Sequence, residues 1–320
     1  MMKHLNDASA FNPYIKVPAD LFATPNHPLF AVHKTSGENV IYEKRKFTMT
    51  YQKLMDSFSK GTITAMDKDI LTIIAAYTDV ACTSKMIIQL LITMGYSPDK
   101  MNIKGVIDRS ISRLHRLSLI ECLRFKADDL DKPSSTRIIT LSPLGYATMK
   151  NVFGYSFRYN ALALLGRSAA EYKRCCATAQ AVTEWILHIG SKTFEFRKVI
   201  KEYLDKDKRA LLRPCAKVIT DDDQTIFFEA VRKTPNGTAD IIDKLERYKL
   251  IFGYMSDPVA ALIIVAEDEE HALELHKAIK AAGLLFENLV FTNDIALVAN
   301  FSTAFYLFDG EAKIPLQISH

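Results

Sequence analysis

The sequence predicts an α+β unit followed by an α/β unit built on a mixed sheet. Three observations carry that prediction. Residues 66–119 repeat apolar side chains at helical spacing in three successive stretches. Two strand-like runs around an acidic, turn-forming stretch follow directly. Beyond residue 215 the chain alternates as strand pair, helix, strand, helix, strand, the pattern of a sheet with helices on its faces.

In chain order, Met66–Cys82 sets Ile70, Ile73, Ile74 and Tyr77 on one face of a first helix. Ser84–Gly95 opens on a serine suited to cap a helix and stops at a glycine, which makes a short second helix. Asn102–Leu119 is a third. Ile120–Phe125 is a strand, Ala127–Ser135 an acidic loop, Thr136–Leu141 a second strand and Leu144–Lys150 the start of a closing helix. Three helices followed at once by a strand pair and its loop make a winged helix-turn-helix over residues 66–150.

The third helix carries the functional evidence. At a hundred degrees per residue, Ile103, Val106, Ile107, Ile111, Leu114 and Leu117 share one face. Gly105, Arg109, Ser112 and Arg116 form a stripe opposite, with Arg113 at its edge and Lys104 in the first turn. Guanidinium offers a planar fork of donors suited to phosphates and base edges, so this stripe is a candidate recognition surface for double-stranded DNA. The strand pair adds Arg124, Lys126, Lys132 and Arg137, while Asp128, Asp129 and Asp131 oppose them and are assigned to a loop tip facing away. A surface helix is commonly charged on its outer face without binding anything, and winged helices also dock proteins. Order of elements and basic stripe together favour DNA.

Composition narrows the classes. A chain of 320 residues with 48% hydrophobic residues supports a substantial core and favours two domains. A net charge of +4 argues for a local basic patch rather than a polybasic coat. No run has the apolar length of a membrane span, and the first residues lack the apolar core of a signal peptide, so the expectation is a cytoplasmic protein without a membrane partner. Five cysteines without CxxC spacing read as reduced thiols. Eight histidines show no ligand spacing, and His271 and His276 read as surface residues of a helix, so no metal is assigned.

Residues 1–65 read as an N-terminal extension, strand-like at Leu29–Val32 and Asn39–Ile41 and helical at Thr50–Ser59. Val152–Ser168 is an aromatic, glycine-punctuated connector. Residues 151–320 form the second domain. Ala169–Ile189 is a long helix and Phe194–Leu204 a further one. Cys215–Ile219 and Thr225–Val231 make a hairpin around the acidic turn Thr220–Gln224, followed by helix Ala239–Phe252, buried strand Ala260–Ala266, helix Glu267–Ala282 and strand Asn288–Phe291.

The run LLRPCAKVI, TIFFEAV and IIDKLERYKLIF after a winged helix resembles the replication-relaxation family of plasmid and mobile-element proteins. The resemblance covers roughly Asp67 to Phe291. It implies a restriction-endonuclease-like mixed α/β domain, in which an aspartate on one strand and a Glu-x-Lys on the next bind a metal and activate water. This chain departs from that pattern. Pro214 is followed by Cys215 instead of aspartate, and Glu229 is followed by Ala230 and Val231. Glu184, Cys215 and Glu229 are therefore vestigial candidates, because magnesium prefers oxygen to a thiol. Arg232 and Lys233 come late for the lysine, and Glu229 is left as their partner or as a surface carboxylate. Asp221–Asp223 reads as a solvated turn.

Three functions follow from this reading. The first is a DNA-binding protein of a plasmid, phage or conjugative element, acting in replication, transfer or regulation, with a C-terminal assembly or docking domain and a possible homodimer or replication and transfer partners. It needs no cofactor. The second is a metal-dependent endonuclease targeted by the winged helix, which would need magnesium. The third is a docking protein whose winged helix binds protein.

Overall fold

The computed structural model describes residues 11, 39–44, 49–96, 103–126, 137–157, 159, 167–205, 208–255 and 259–317. The chain divides into two compact units, the first ending at Tyr172 and the second running on from Lys173. It is a mixed α+β protein.

The first unit contains β1 (Asn39–Tyr42), α1 (Tyr51–Ser59), α2 (Ala65–Ala76), β2 (Cys82–Thr83), α3 (Ser84–Thr93), α4 (Ile103–Arg116), β3 (Ile120–Lys126), β4 (Ile138–Leu141) and α5 (Pro143–Asn151). Four of its helices start where a hydroxyl satisfies a free backbone N–H: Thr50, Thr64, Thr83 and Ser142 each accept from the first turn of α1, α2, α3 and α5. The apolar stripes then meet, burying Ile70, Ile74, Leu90, Ile107, Ile111 and Leu114. An antiparallel sheet in the order β1-β3-β4-β2 completes the unit. At Gly145 of α5 a Cβ would stand 2.0 Å from the carbonyl oxygen of Leu119, so only glycine permits this approach.

Several boundaries move. The first predicted helix stops at Ala76, and Cys82 instead pairs with Ile139 in the sheet. Thr83, rather than Ser84, caps α3. The strand expected at Asn39–Ile41 is β1, which pairs antiparallel with β3, so part of the predicted N-terminal extension supplies an edge strand. Leu29–Val32 and the loop Ala127–Ser135 lie outside the described residues.

The second unit takes in all but the start of α6 (Ala169–His188), then β5 (Thr193–Phe196), β6 (Ile200–Asp205), β7 (Lys208–Leu212), β8 (Ala216–Ile219) and β9 (Thr225–Ala230). It continues with α7 (Gly237–Phe252), β10 (Val259–Ala266), α8 (Glu269–Ala281), β11 (Leu289–Asn293), α9 (Asp294–Ala299), β12 (Tyr306–Asp309) and β13 (Ala312–Pro315). The main sheet has the order β13-β12-β11-β10-β9-β8-β5. Its centre, β9, β10 and β11, is parallel, and the flanking pairs are antiparallel. Phe227, Leu262 and Phe291 share one apolar core with Leu245 and Tyr248 of α7 and Leu275 and Ile279 of α8. On the opposite face Trp185 of α6 meets Phe228 edge-on, with ring centroids 5.9 Å apart. Both faces of β9 are therefore covered, and all its residues are buried.

The helix predicted at Phe194–Leu204 is absent: the segment forms β5 and β6. Phe194 and Phe196 are buried while their neighbours are not, a period of two that outweighs the helical reading, and Arg197 at φ +52 breaks the run. His271 and His276 are also corrected, because both are buried beneath α8 rather than exposed.

Candidate nucleic-acid interface

Helix α4 buries Ile103, Ile107, Ile111 and Leu114 and leaves Arg109, Ser112 and Arg116 at its surface; Val106 is only half-buried. Beside it, the β3–β4 pair presents Arg124 and Arg137. Together these elements form a groove of about 630 Å³ lined by Ser84, Asp108, Arg109, Ser112, Arg113, Arg116, Arg124 and Arg137. Most of the predicted contact residues thus come together on one surface. Lys104 sits half-buried in the first turn of α4, outside the groove lining. Lys126 ends β3, and Lys132 lies outside the described residues.

The arginines are not equivalent. Arg113 donates from Nε and Nη2 to Asp67 at 3.0 and 2.8 Å, and from Nη2 to Ser110 at 3.0 Å. Asp67 is fully buried and closes the capping box of α2 with Thr64, so Arg113 ties α4 to that cap. It still lines the groove, so the expected contact residue is one already committed to a carboxylate. Arg124 and Arg137 both donate to Oε1 of Glu43, the latter at 3.0 Å. Burial alone would raise the Glu43 pKa; the two arginine hydrogen bonds outweigh it and lower it, so the carboxylate stays ionised. Among the described residues, neither Arg109 nor Arg116 is held in an ion pair. Both face the groove, where a pair of guanidinium groups on one helix suits phosphate oxygens or guanine edges.

Ser84 and Asp108 line the groove and Glu43 holds two of its arginines; none of the three was predicted. Glu43 follows β1 directly, but nothing local indicates that pairing with β3 sets it beside Arg124.

The second unit brings Cys215 and Glu229 together, as adjacent strands would. Glu229 is only 2% exposed. It accepts from the Cys215 backbone N–H at 3.3 Å, the Tyr248 hydroxyl at 2.6 Å and Lys244 Nζ at 2.6 Å. Glu229 is therefore neither a surface carboxylate nor a partner of Arg232 or Lys233. Arg232 pairs with buried Asp294 and donates to the Val265 carbonyl at 3.0 Å; Lys233 pairs with Asp268 at 3.0 Å. Burial and then the Glu229 charge raise the pKa values of Cys215 and Tyr248. Burial opposes the Lys244 charge, and Cys215 and Glu229 outweigh it, so that pKa is raised too.

Glu184 is bonded to Gln180 and His188 of its own helix. Asp221, Asp222 and Asp223 are exposed in the β8–β9 turn, where Asp223 pairs with Lys192 at 2.6 Å. A backbone amide, a phenol and an ammonium already converge on Glu229, beside a protonated thiol. This set does not fit magnesium, which requires several oxygen ligands.

No family model, no curated protein and no solved structure matches the chain. Among the described residues no helix is long and apolar enough to cross a membrane.

Proposed function

We propose that the first unit is a winged helix-turn-helix that binds double-stranded DNA, with α4 as the recognition helix and β3–β4 as the wing. The observation that carries this reading is the groove between them, whose walls bring five arginines together from α4, β3 and the edge of β4. Arg109 and Arg116 bind the DNA directly. Arg124 and Arg137 flank the groove and are balanced by Glu43 in the free protein.

With the resemblance to replication-relaxation proteins, such an activity belongs to replication, transfer or regulation on a plasmid, phage or conjugative element, in the cytoplasm. The second unit is then a restriction-endonuclease-like domain that does no cleavage and serves assembly or docking. The meeting of Cys215 and Glu229 across β8 and β9 supports that reading of its fold, and the donors around Glu229 support the absence of catalysis.

Fluorescence anisotropy on a labelled duplex over graded salt tests the proposal. Affinity should fall linearly on a logarithmic salt scale, since binding to phosphates releases counterions. Arg109→Ala with Arg116→Ala should weaken binding by about 1–3 kcal/mol for each arginine that reads a base, while exposed substitutions shift stability by only about 0.5 kcal/mol. A double variant binding as tightly as the parent removes α4 as the recognition helix. A parent that ignores duplex DNA at moderate salt favours protein docking instead.

A further inference from the structure

We infer that Glu43, His115 and Cys122 form a binding site for one zinc-class divalent ion, adjoining the groove through Arg124 and Arg137 and separate from the Glu229 constellation. One ligand atom from each, a carboxylate oxygen, an imidazole nitrogen and the thiol sulfur, lies within 4.8 Å of the other two. The three residues come from different elements whose backbones are fixed. The Glu43 backbone N–H donates to the Cys122 carbonyl at 2.9 Å, which sets the chain after β1 against β3. His115 is in the last turn of α4, and the chain reaches β3 only a few residues later.

The donor chemistry selects the metal. Thiolate, imidazole and carboxylate are the ligands of zinc, whereas magnesium and calcium take oxygen alone. Tetrahedral zinc, with bonds of roughly 2.0–2.3 Å, holds neighbouring ligand atoms roughly 3.5 Å apart. The triad therefore has to close by only about 1 Å, within reach of side-chain rotation. Water fills the fourth position.

Two features on the same residues belong to a metal site. Arg124 and Arg137 both grip Oε1 of Glu43 and so orient its carboxylate, the role that outer hydrogen bonds play for ligating carboxylates. Glu43 and His115 are partly exposed while Cys122 is buried, which gives the ion an entry path to an enclosed sulfur. On loading, the Cys122 S–H bond breaks, its proton passes to solvent, and a sulfur–metal bond forms. The site gains one net positive charge: two from the ion, less the one carried away by the proton.

Cobalt(II) titration of the chelator-treated full-length protein tests this. One equivalent should produce thiolate-to-cobalt charge-transfer absorption, and one equivalent of zinc should abolish it. Cys122→Ala should remove the absorption, and His115→Gln should weaken cobalt binding at least tenfold. Because Cys122 is buried, far-UV circular dichroism checks each variant, and His115, which is only partly buried, supplies a second one. Absence of the absorption in the parent overturns the site. So does full absorption in Cys122→Ala, which would place the metal on another cysteine. Unchanged affinity in a folded His115→Gln overturns it equally.

Discussion

Asp67 and Glu43 are both carboxylates beside arginines, yet they do different work. Asp67 is enclosed, closes the cap of α2 and accepts from Nε and Nη2 of Arg113, so removing either partner leaves a charge or a cap unsatisfied. Glu43 is partly exposed and holds Arg124 and Arg137 at the wall of the groove. Neutralising it should release both guanidinium groups. For Glu43→Gln we expect tighter duplex binding and a salt slope steeper by about one to two units, because each additional phosphate neutralised contributes about one. An unchanged slope in the same anisotropy titration would show that these arginines stay structural when DNA binds.

His271 supplies a pH signature at the same scale. Burial, then the Arg232 charge, lowers its pKa from 6.5 to about 4, and its Nδ1 accepts the Glu267 backbone N–H at 3.3 Å. Between those two values the unfolded chain holds a proton that the folded chain refuses. Stability should therefore fall as the pH drops from about 6.5 towards about 4, and be unaffected by this group above that range. Urea unfolding of the parent and of His271→Gln across the window should show a shallower pH slope in the variant.

Among the elements, α5 depends on close approach. Its Gly145 packs on the carbonyl of Leu119, just before β3, while the hydroxyl of Ser142 caps the helix by accepting the Gly145 N–H at 2.9 Å. Gly145→Ala drives a methyl into a backbone oxygen, which cannot turn aside as a side chain would. We expect a loss of about 1–3 kcal/mol in thermal or urea unfolding, opposite in sign to the gain of about 0.4–1 kcal/mol from a glycine-to-alanine exchange where nothing obstructs the methyl. A variant as stable as the parent would mean that α5 slides without cost. The β8–β9 hairpin has the converse property: its acidic turn is exposed, whereas β9 is enclosed throughout and β8 at alternate residues, so chemistry at Glu229 would have to be buried chemistry.

For the molecule as a whole, the expectation is DNA binding without hydrolysis. Supercoiled plasmid incubated with the full-length protein and magnesium or manganese should remain supercoiled. Cleavage that disappears in a folded Glu229→Gln variant would overturn the non-catalytic reading, and would require the Lys244 and Tyr248 hydrogen bonds to open for a metal. Cleavage that survives the substitution would point to a contaminating nuclease.

The sequence by itself determined the local features that repeat within a few residues. The apolar stripe of α4 and its outward Arg109, Ser112 and Arg116 were legible because helical spacing separates the two faces. The β8–β9 hairpin and the buried strand β10 were legible because turn residues bound apolar runs. The segment at Phe194–Leu204 was misread because a short apolar run fits two periods until a partner strand selects one, here β8 for Phe194 and Phe196. Only the tertiary structure decided which charges are committed. Glu43 meets Arg137 across 94 residues, and Arg232 meets Asp294 across 62. No local pattern encodes such pairs. They follow from strand register and from the cost of leaving a charge without a partner in the interior, which is why outward Arg109 and Arg116 were readable in the sequence and the commitment of Arg113, Arg124 and Arg137 to carboxylates was not.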